Sequence, residues 1–266
     1  MSATTPLSGS AEKWGPLWGA RPRAWAEDEE LQVPTYEEAI RRVGVTPRQR
    51  VLDIGCGTGV FLRLAADRGA KPFGLDASEA LLEIARERVP EADLRLGEME
   101  QLPYDADTFD LVTGFNSFFF AANLVAALRE AGRVAKPGAP VVIQVWGRPE
   151  RCDLEAQKQV ARGYAPPPPP DAPPPPKLWE PGVLERLATE AGLMPETAFD
   201  TDYAFEYRDD EMLTRLLTAP MGLAELAGPE REDTLRRELI EALAPYRAAD
   251  GGYRVHNEFH YVVARA

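Results

Sequence analysis

The stretch VLDIGCGTGVF, at residues 51–61, most constrains the fold that this chain can adopt. An apolar run ends in Asp53, and glycines follow at positions 55, 57 and 59. Glycine places no Cβ between the backbone and a ligand, and it permits tight turns that other residues resist. The stretch therefore predicts a buried strand at residues 50–54, a ligand-binding turn and a helix at residues 59–68.

Strands and helices alternate along the next part of the chain. Apolar runs and helical periodicity predict strands at 72–76, 93–96, 109–113 and 141–145, and helices at 79–88 and 124–134. This alternation indicates βαβ units with right-handed crossovers and a mostly parallel sheet, which binds ligands at the carboxyl ends of its strands. We therefore expect Asp53, Asp76, Gly97 and residues 113–116 to lie along one edge of the sheet.

Outside this core the patterns are weaker. Thr35, with Glu38 three residues later, predicts a capped helix at 35–43, and Ser78 is the predicted N-cap of the helix at 79–88. Helical patterns return at 181–191, 210–217 and 230–243, and residues 253–264 alternate as a final strand.

Composition excludes several classes of protein. The chain has 266 residues and a net charge of −13, which disfavours nucleic acid as a partner. No apolar run is long enough for a membrane helix, and the first residues do not resemble a secretory signal. Two cysteines are too few for a disulfide framework or a zinc cluster. We expect a cytoplasmic protein without a metal, either a monomer or a homodimer.

The glycine turn discriminates between nucleotide ligands. It lacks the Lys-Ser or Lys-Thr of a phosphate-binding loop, and its third glycine does not fit the G-x-G-x-x-G pattern of dinucleotide-binding folds. Asp53 would repel a pyrophosphate and would favour a ligand with an ammonium or sulfonium centre, as in S-adenosylmethionine. Asp76, at the end of the second strand, is placed to accept hydrogen bonds from ribose hydroxyls, although a strand-end Asp can also cap a helix.

Four segments together resemble the class I S-adenosylmethionine-dependent methyltransferases, in particular the branch of ubiquinone and menaquinone biosynthesis and of small-molecule enzymes. They are VLDIGCGTG, GLDASEALLEIARER, LRLGEMEQLPYDADTFDLV and REAGRVAKPGAPVVI, and the resemblance covers residues 36–146. It implies an α/β fold, a three-layer Rossmann-like sandwich whose seven-stranded, mostly parallel sheet has an antiparallel last strand and helical lid or cap elements. It also implies S-adenosylmethionine as the cofactor and S-adenosylhomocysteine as the product.

The resemblance also assigns site residues. The glycine turn would line the methionine part of the cofactor, Asp76 the ribose, Ala77 and Ser78 the adenine, and Glu98 would accept from the adenine amino group. Phe115 and Asn116 would contact the methionine end and the substrate. The full predicted cofactor site is Asp53, Gly55, Cys56, Gly57, Gly59, Asp76, Ala77, Ser78, Glu98, Met99, Glu100, Phe115 and Asn116.

The predicted organisation has four parts. Residues 1–34 are a terminal arm or a lid, 35–150 the cofactor-binding core, 151–180 a proline-rich insertion, and 181–266 the remaining fold with a helical cap and final strands. The proline blocks 166–170 and 173–176 are interpreted as a stiff spacer, or alternatively as a ligand for a proline-binding domain. Candidates for the lid and the acceptor pocket are Trp14, Trp18, Trp25, Phe118 and Phe119, of which the phenylalanines could equally belong to the core.

The predicted reaction is methyl transfer to a small apolar or aromatic acceptor through O, N or C. Direct displacement needs alignment more than a base, so no catalytic residue is assigned. His256, Glu258 and His260 are weak candidates because they share a polar face that is expected to be solvated. The alternatives are a non-methylating enzyme that binds the same cofactor and a non-catalytic protein that docks through the proline-rich segment.

Overall fold

The computed structural model describes residues 9–167 and 174–266, and within them seven strands form one sheet. The strands are β1 (Arg50–Ile54), β2 (Lys71–Asp76), β3 (Asp93–Leu96), β4 (Leu111–Phe115), β5 (Pro140–Trp146), β6 (Met194–Tyr207) and β7 (Tyr253–Arg265). Their order is β3-β2-β1-β4-β5-β7-β6. Strands β1 to β5 pair in parallel, and β7 is antiparallel to both of its neighbours. This confirms the predicted sheet.

Helices cover both faces of the sheet and its carboxyl edge. They are α1 (Ser10–Trp18), α2 (Pro22–Glu30), α3 (Val33–Val43), α4 (Val60–Asp67), α5 (Glu79–Arg88), α6 (Leu124–Val134), α7 (Glu155–Arg162), α8 (Val183–Glu190), α9 (Asp210–Leu217), α10 (Leu223–Ala227) and α11 (Glu232–Leu243). One buried cluster joins α3, α4, α5 and α11 to the sheet, and a second joins α6 and α8 to it. Across the described residues, no helix is both long and apolar enough to cross a membrane.

Strand order reverses between β1 and β4, because β1 continues to β2 on one side while β4 continues to β5 on the other. Such a reversal opens a crevice at the carboxyl ends of the two strands, where doubly wound folds bind their ligands. The glycine turn follows β1 and residues 116–117 follow β4 at this crevice. The topology therefore places the predicted site at the switch point of the sheet.

Of the two helix N-caps predicted from the sequence, the one at Ser78 is confirmed. Ser78 is the N-cap of α5, where its Oγ accepts a 3.4 Å hydrogen bond from Leu81 N. The predicted cap at Thr35 is wrong, because α3 begins at Val33 and Gln32 is its N-cap. The Thr35 hydroxyl instead donates to Gln32 O at 2.8 Å inside the first turn.

Several elements were not predicted. Strand β6 was missed, as were helices α1, α2, α7 and α10. Strand β6 lies at the edge of the sheet and pairs only with β7, so most of its residues are not buried and the alternation that marks a strand is weak. The helices α1, α2 and α10 have nine residues or fewer, and α1 contains Gly15 and Pro16, so their propensity gives little signal.

Gly114 in β4 provides a test of packing beneath the site. A Cβ at this position would lie 2.3 Å from Cε2 of Phe118, whose ring is buried in the core. We expect Gly114→Ala to lower the free energy of unfolding by about 1–3 kcal/mol, because the ring must move to relieve the overlap. Urea denaturation measures the change, and Gly163→Ala, at an exposed helix end, is the control. Equal stability of Gly114→Ala and the wild type would contradict this packing.

Candidate functional site

The glycine turn between β1 and α4 forms a cradle made of backbone. Gly55, Gly57 and Gly59 all have positive φ, at 75°, 54° and 82°. A Cβ on Gly55 would lie 2.5 Å from Cβ of Ser117, so no side chain fits there. The amides of Gly55 and Cys56 both donate to Leu75 O, which fixes the turn against β2. The turn therefore exposes bare backbone of Gly55 and Gly57 to the crevice.

Asp76 fixes the cradle from the end of β2. Its side chain is buried, and its Oδ2 and Oδ1 accept hydrogen bonds from Gly57 N at 2.9 Å and Ser78 N at 2.8 Å. A carboxylate has about four lone-pair positions, so both oxygens retain acceptor capacity toward the cavity that Asp76 lines. This arrangement suits a carboxylate that binds vicinal hydroxyls.

Asp53 acts from beneath the cradle. Its carboxylate is buried and accepts a 2.8 Å hydrogen bond from the Thr113 hydroxyl, and it does not line the cavity. Burial raises the pKa of Asp53 well above its ordinary value, and the neighbouring Glu29 and Asp76 raise it further. Any effect of Asp53 on a ligand would therefore be electrostatic, because its side chain does not reach the cavity.

Glu29 on α2 reaches the cradle from the N-terminal segment, which sequence reasoning missed. Its Oε2 accepts hydrogen bonds from Thr58 N at 2.9 Å and Thr58 Oγ1 at 2.6 Å, at the N-terminal end of α4. This helix end is where a dinucleotide pyrophosphate would bind. The carboxyl group of Glu29 occupies this position, and it would oppose a pyrophosphate there in addition to the repulsion predicted for Asp53.

Four buried carboxyl groups surround the crevice, and their pKa values all move in one direction. Burial raises the pKa of Asp28 and of Glu29 to about 7, and it raises the pKa of Asp53 and of Asp76. Desolvation penalises the charged form of each group, and a bound cation would relieve that penalty. The cradle therefore suits a nucleoside ligand that carries a positive charge and no phosphate, as S-adenosylmethionine does.

The α1 helix covers the side of the crevice where the predicted adenine residues lie. The carboxylate of Glu98 accepts hydrogen bonds from Ser10 Oγ at 2.9 Å and from Ala11 N at 2.8 Å, at the first turn of α1. A cavity of about 30 Å³ remains there, lined by Trp14, Ala77 and Met99 among others. The predicted adenine residues therefore lie together beneath α1, and Glu98 also holds that helix in place.

A larger cavity of about 790 Å³ extends from the cradle across the ends of β4 and β5. Asn116, directly after β4, lines this cavity and adopts a φ of 50° that asparagine tolerates better than most residues. Its Oδ1 is buried without a hydrogen-bond partner in the described part of the chain. Asn116 therefore offers a free acceptor at the point where cofactor and substrate would meet.

Aromatic side chains enclose the far half of the cavity. The predicted lid residues Trp14, Trp18 and Trp25 all line it. Trp18 packs edge-to-face on Trp25, with ring centroids 4.6 Å apart. The sequence did not indicate the remaining wall, which is formed by Trp146, Lys158, Trp179, Phe205, Leu217 and Met221. Residues 175–176 also line the cavity, whereas residues 168–173 of the proline-rich segment lie outside the described residues.

The run of three phenylalanines divides between core and cavity. Phe118 is 1% exposed and packs in the core beside β4, so its assignment to the acceptor pocket is wrong. Phe119 and Phe120 line the cavity, and Phe120 packs edge-to-face on Trp14 with ring centroids 4.8 Å apart.

Some predicted cofactor residues support the site from behind and do not line either cavity. Cys56 is buried against Gly74, and burial raises the pKa of its thiol well above the ordinary value, so it is a filler. Gly59 is the N-cap of α4 and lies against Ala85. Ser78 caps α5, and Glu100 accepts from Asn123 N at 3.0 Å.

The polar face of the last strand is not solvated as expected. Glu258 is 1% exposed and forms a short ion pair with Arg148, and His260 is 5% exposed with its Nδ1 2.7 Å from Asp200 Oδ1. His256 is exposed. None of the three candidates His256, Glu258 and His260 lines the cavity. The side chains of Arg148 and Asp200 cover Glu258 and His260 on this face.

Comparison with known proteins matches the part of the chain that carries the core of the site to one domain family. Residues 52–143 match the family model described as a methyltransferase domain. These residues carry the cradle, Asp76, Glu98 and Asn116. They form a class I S-adenosylmethionine-dependent methyltransferase domain.

Within that class, the chain is similar to enzymes of quinone and acyl-carrier metabolism. It is 36% identical over 107 residues to demethylmenaquinone methyltransferase of Renibacterium salmoninarum, covering 40% of this chain and 45% of that protein. It is 34% identical over 96 residues to malonyl-[acyl-carrier protein] O-methyltransferase of Serratia marcescens, covering 36% and 38%. The chain thus spans less than half the length of these two curated relatives.

Solved structures extend the likeness beyond the core. The [4+2]-cyclase SpnF is 18% identical in sequence and superposes with a TM-score of 0.55. The superposition covers 87% of this chain and 79% of that chain. This likeness shows the fold alone, and it includes the second half of the sheet that the family model does not reach.

Proposed function

We propose that this protein transfers a methyl group from S-adenosylmethionine to a small apolar or aromatic acceptor. One observation carries the proposal: a single cavity of about 790 Å³ joins the glycine cradle and Asp76 to a chamber walled by tryptophan and phenylalanine. Such a cavity has the size and the mainly apolar lining of small-molecule sites. It suits an acceptor buried beside the cofactor rather than a protein or nucleic-acid surface.

S-adenosylmethionine supplies a methyl group on a sulfonium, which an acceptor can take by direct displacement. The chain's part is to align and dehydrate the two molecules, and good alignment can contribute up to about 7–11 kcal/mol. The cradle and Asp76 would fix the nucleoside end, and Asn116 would offer its free Oδ1 at the junction. The N-terminal tryptophans would exclude water from the far side. Whether O, N or C receives the methyl group stays open.

Two of the four predicted parts of the chain, the N-terminal segment and the proline-rich insertion, border the proposed site. Residues 9–34 cover the crevice through α1 and α2, which supports a lid at the N-terminal segment. The described end of the proline-rich segment, residues 174–180, borders the acceptor chamber, which supports a role as a wall rather than a distant spacer.

The test is release of S-adenosylhomocysteine with a panel of phenolic and polycyclic aromatic acceptors. We expect turnover with at least one acceptor and gain of one methyl group in that acceptor by mass spectrometry. Asp76→Ala should abolish turnover under the same conditions. Binding of the cofactor without turnover on any acceptor would contradict methyl transfer.

A second function is favoured by the likeness to SpnF, a [4+2]-cyclase with this fold. In such an enzyme the bound cofactor would remain intact while the chamber folds an apolar substrate. Conversion of a substrate without release of S-adenosylhomocysteine would identify this alternative.

A further inference from the structure

Lys158 on α7 is the one basic side chain that lines the large cavity in the described part of the chain. The other ionisable groups on its wall are the carboxyl groups of Asp28, Glu29 and Asp76 and the phenol of Tyr36. Glu29 and Asp76 lie at the cradle, where the positive charge of a bound cofactor would compensate them, and Asp28 accepts a 3.4 Å hydrogen bond from the Tyr207 hydroxyl. A lone cation elsewhere on an aromatic wall therefore requires its own explanation.

Strand order places Lys158 on the acceptor side. Its Nζ lies 4.5 Å from the ring centroid of Trp146, at the carboxyl end of β5. Strand β5 is separated from β1 by β4, so Trp146 lies about 10 Å from the cradle at ordinary strand spacing. Asp76, the predicted ribose ligand, lies in the opposite direction on β2.

The charge of Lys158 is poorly compensated by the protein. The nearest carboxylate oxygen in the described residues is Oε2 of Glu155 at 3.9 Å, at the limit of an ion pair. Glu155 also pairs with Arg162 at 2.9 Å, which is the closer of its two contacts. Burial lowers the pKa of the Lys158 ammonium. An anion bound beside Trp146 would stabilise the charged form of the Lys158 ammonium, which burial destabilises.

We propose that the acceptor carries an acidic oxygen, a carboxylate or an acidic phenol, and that Lys158 holds this oxygen against Trp146. The proposal deepens the proposed function and rests on it. Lys158 is then a specificity-determining residue: it selects acidic aromatic acceptors over their neutral counterparts. It takes no part in the displacement itself, in which the methyl group moves from the sulfonium to the nucleophilic atom of the acceptor.

The test compares a matched acid and amide on the full-length protein. 1-Naphthoate and 1-naphthamide have nearly the same shape and differ in charge, and binding is measured by quenching of tryptophan fluorescence in excess S-adenosylhomocysteine. We expect the acid to bind at least about tenfold more tightly to the wild type. The preference should vanish in Lys158→Met, which keeps an unbranched stem of similar length, and should survive in Lys158→Arg.

Lys71→Met is the control, because Lys71 is exposed at the start of β2, at the opposite edge of the sheet. It should keep the full acid preference. Melting temperatures establish that each variant folds, and if Lys158→Met does not fold, the comparison of Lys158→Arg with the wild type at rising salt takes its place. Acid and amide affinities that are equal, or that differ equally in Lys158→Met, overturn the proposal. Failure of both probes to bind at millimolar concentration also overturns it.

Calorimetry with S-adenosylhomocysteine separates this proposal from the one it rests on. If the wild type does not bind S-adenosylhomocysteine, the proposed function fails, and the acid–amide comparison is then made on the protein alone. If Lys158→Met weakens S-adenosylhomocysteine binding by tenfold or more, Lys158 serves the cofactor's carboxylate and the acceptor assignment is overturned.

Discussion

Replacing Asp76 with alanine is expected to weaken S-adenosylhomocysteine binding about 30–150-fold. The change would remove two hydrogen bonds from a carboxylate to the ribose hydroxyls, at a cost of about 2–3 kcal/mol. It would also release the amides of Gly57 and Ser78, which Asp76 holds at 2.9 and 2.8 Å, so the cradle itself would loosen. Isothermal titration calorimetry measures the affinity directly.

The matched control is Asp67→Ala, since Asp67 is exposed on α4 in a surface pair with Arg63. Surface pairs of this kind contribute between 0 and about 1 kcal/mol, so affinity should not change. Circular dichroism and the melting temperature show whether Asp76→Ala keeps its fold. Wild-type affinity in a folded Asp76→Ala protein would refute the ribose assignment.

The parts of the fold that the sequence predicted are those where local chemistry determines structure. The turn requires positive φ at Gly55, Gly57 and Gly59, and glycine adopts positive φ more readily than any other residue. The turn can therefore be predicted from the residues alone. The position of Asp76 can also be predicted, because the end of β2 and the helix cap at Ser78 lie within two residues of each other. The helix α6 and the strand β3 have the predicted bounds.

The parts that were missed depend on tertiary contacts. Glu29 belongs to the acidic run 27–30, which looks like a solvated face of a helix. The packing of α2 buries two members of that run, Asp28 and Glu29, and turns Glu29 toward Thr58. Likewise, Phe118 and Phe119 are the same residue type in one short helical turn after β4, and their side chains lie on different sides of it. The sequence therefore does not tell which of them is in the core and which lines the cavity.

Among the contacts that join the N-terminal segment to the core, two are hydrogen bonds between a carboxyl group and the first turn of a helix. Glu98 of the core accepts from backbone at the start of α1, and Glu29 of α2 accepts from backbone at the start of α4. In each case a carboxyl group meets the positive end of a helix dipole, which favours its ionised form by roughly 0.3–1 kcal/mol. For Glu29 the cost of burial is the larger effect, since its pKa is raised. The same two carboxylates border the adenine side and the cradle. Ligand binding at either place would therefore act on the contacts that hold the segment down.

Replacing Glu29 with glutamine is expected to stabilise the ligand-free protein at pH 8 and to have almost no effect near pH 4.5. Burial raises the pKa of Glu29 from 4.5 to about 7, so the folded protein binds more protons than the unfolded chain between these values. Stability is therefore present below pH 4.5 and is lost as the pH rises through about 7. The loss at pH 8 corresponds to about 3 kcal/mol, which Glu29→Gln should recover.

Glutamine is a suitable probe because one carboxylate oxygen, Oε2, accepts both hydrogen bonds from Thr58, and the amide oxygen can take its place. Denaturant unfolding at pH 5 and pH 8 measures the effect. The control is Glu27→Gln on the same helix, where the pKa is lowered by Arg215 at the surface, so its removal should change stability little at either pH.

S-adenosylmethionine should reverse the sign of the Glu29→Gln effect. Its positive charge would stabilise the ionised carboxylates of the crevice, so wild-type affinity should increase between pH 6 and pH 8 as Asp28 and Glu29 lose their protons. In Glu29→Gln the increase should be smaller, and affinity at pH 8 should fall by roughly tenfold. A variant that is no more stable than the wild type at pH 8 and binds the cofactor equally well would show that Glu29 carries no charge there. The cation-selective cradle would then depend on Asp53 and Asp76 alone.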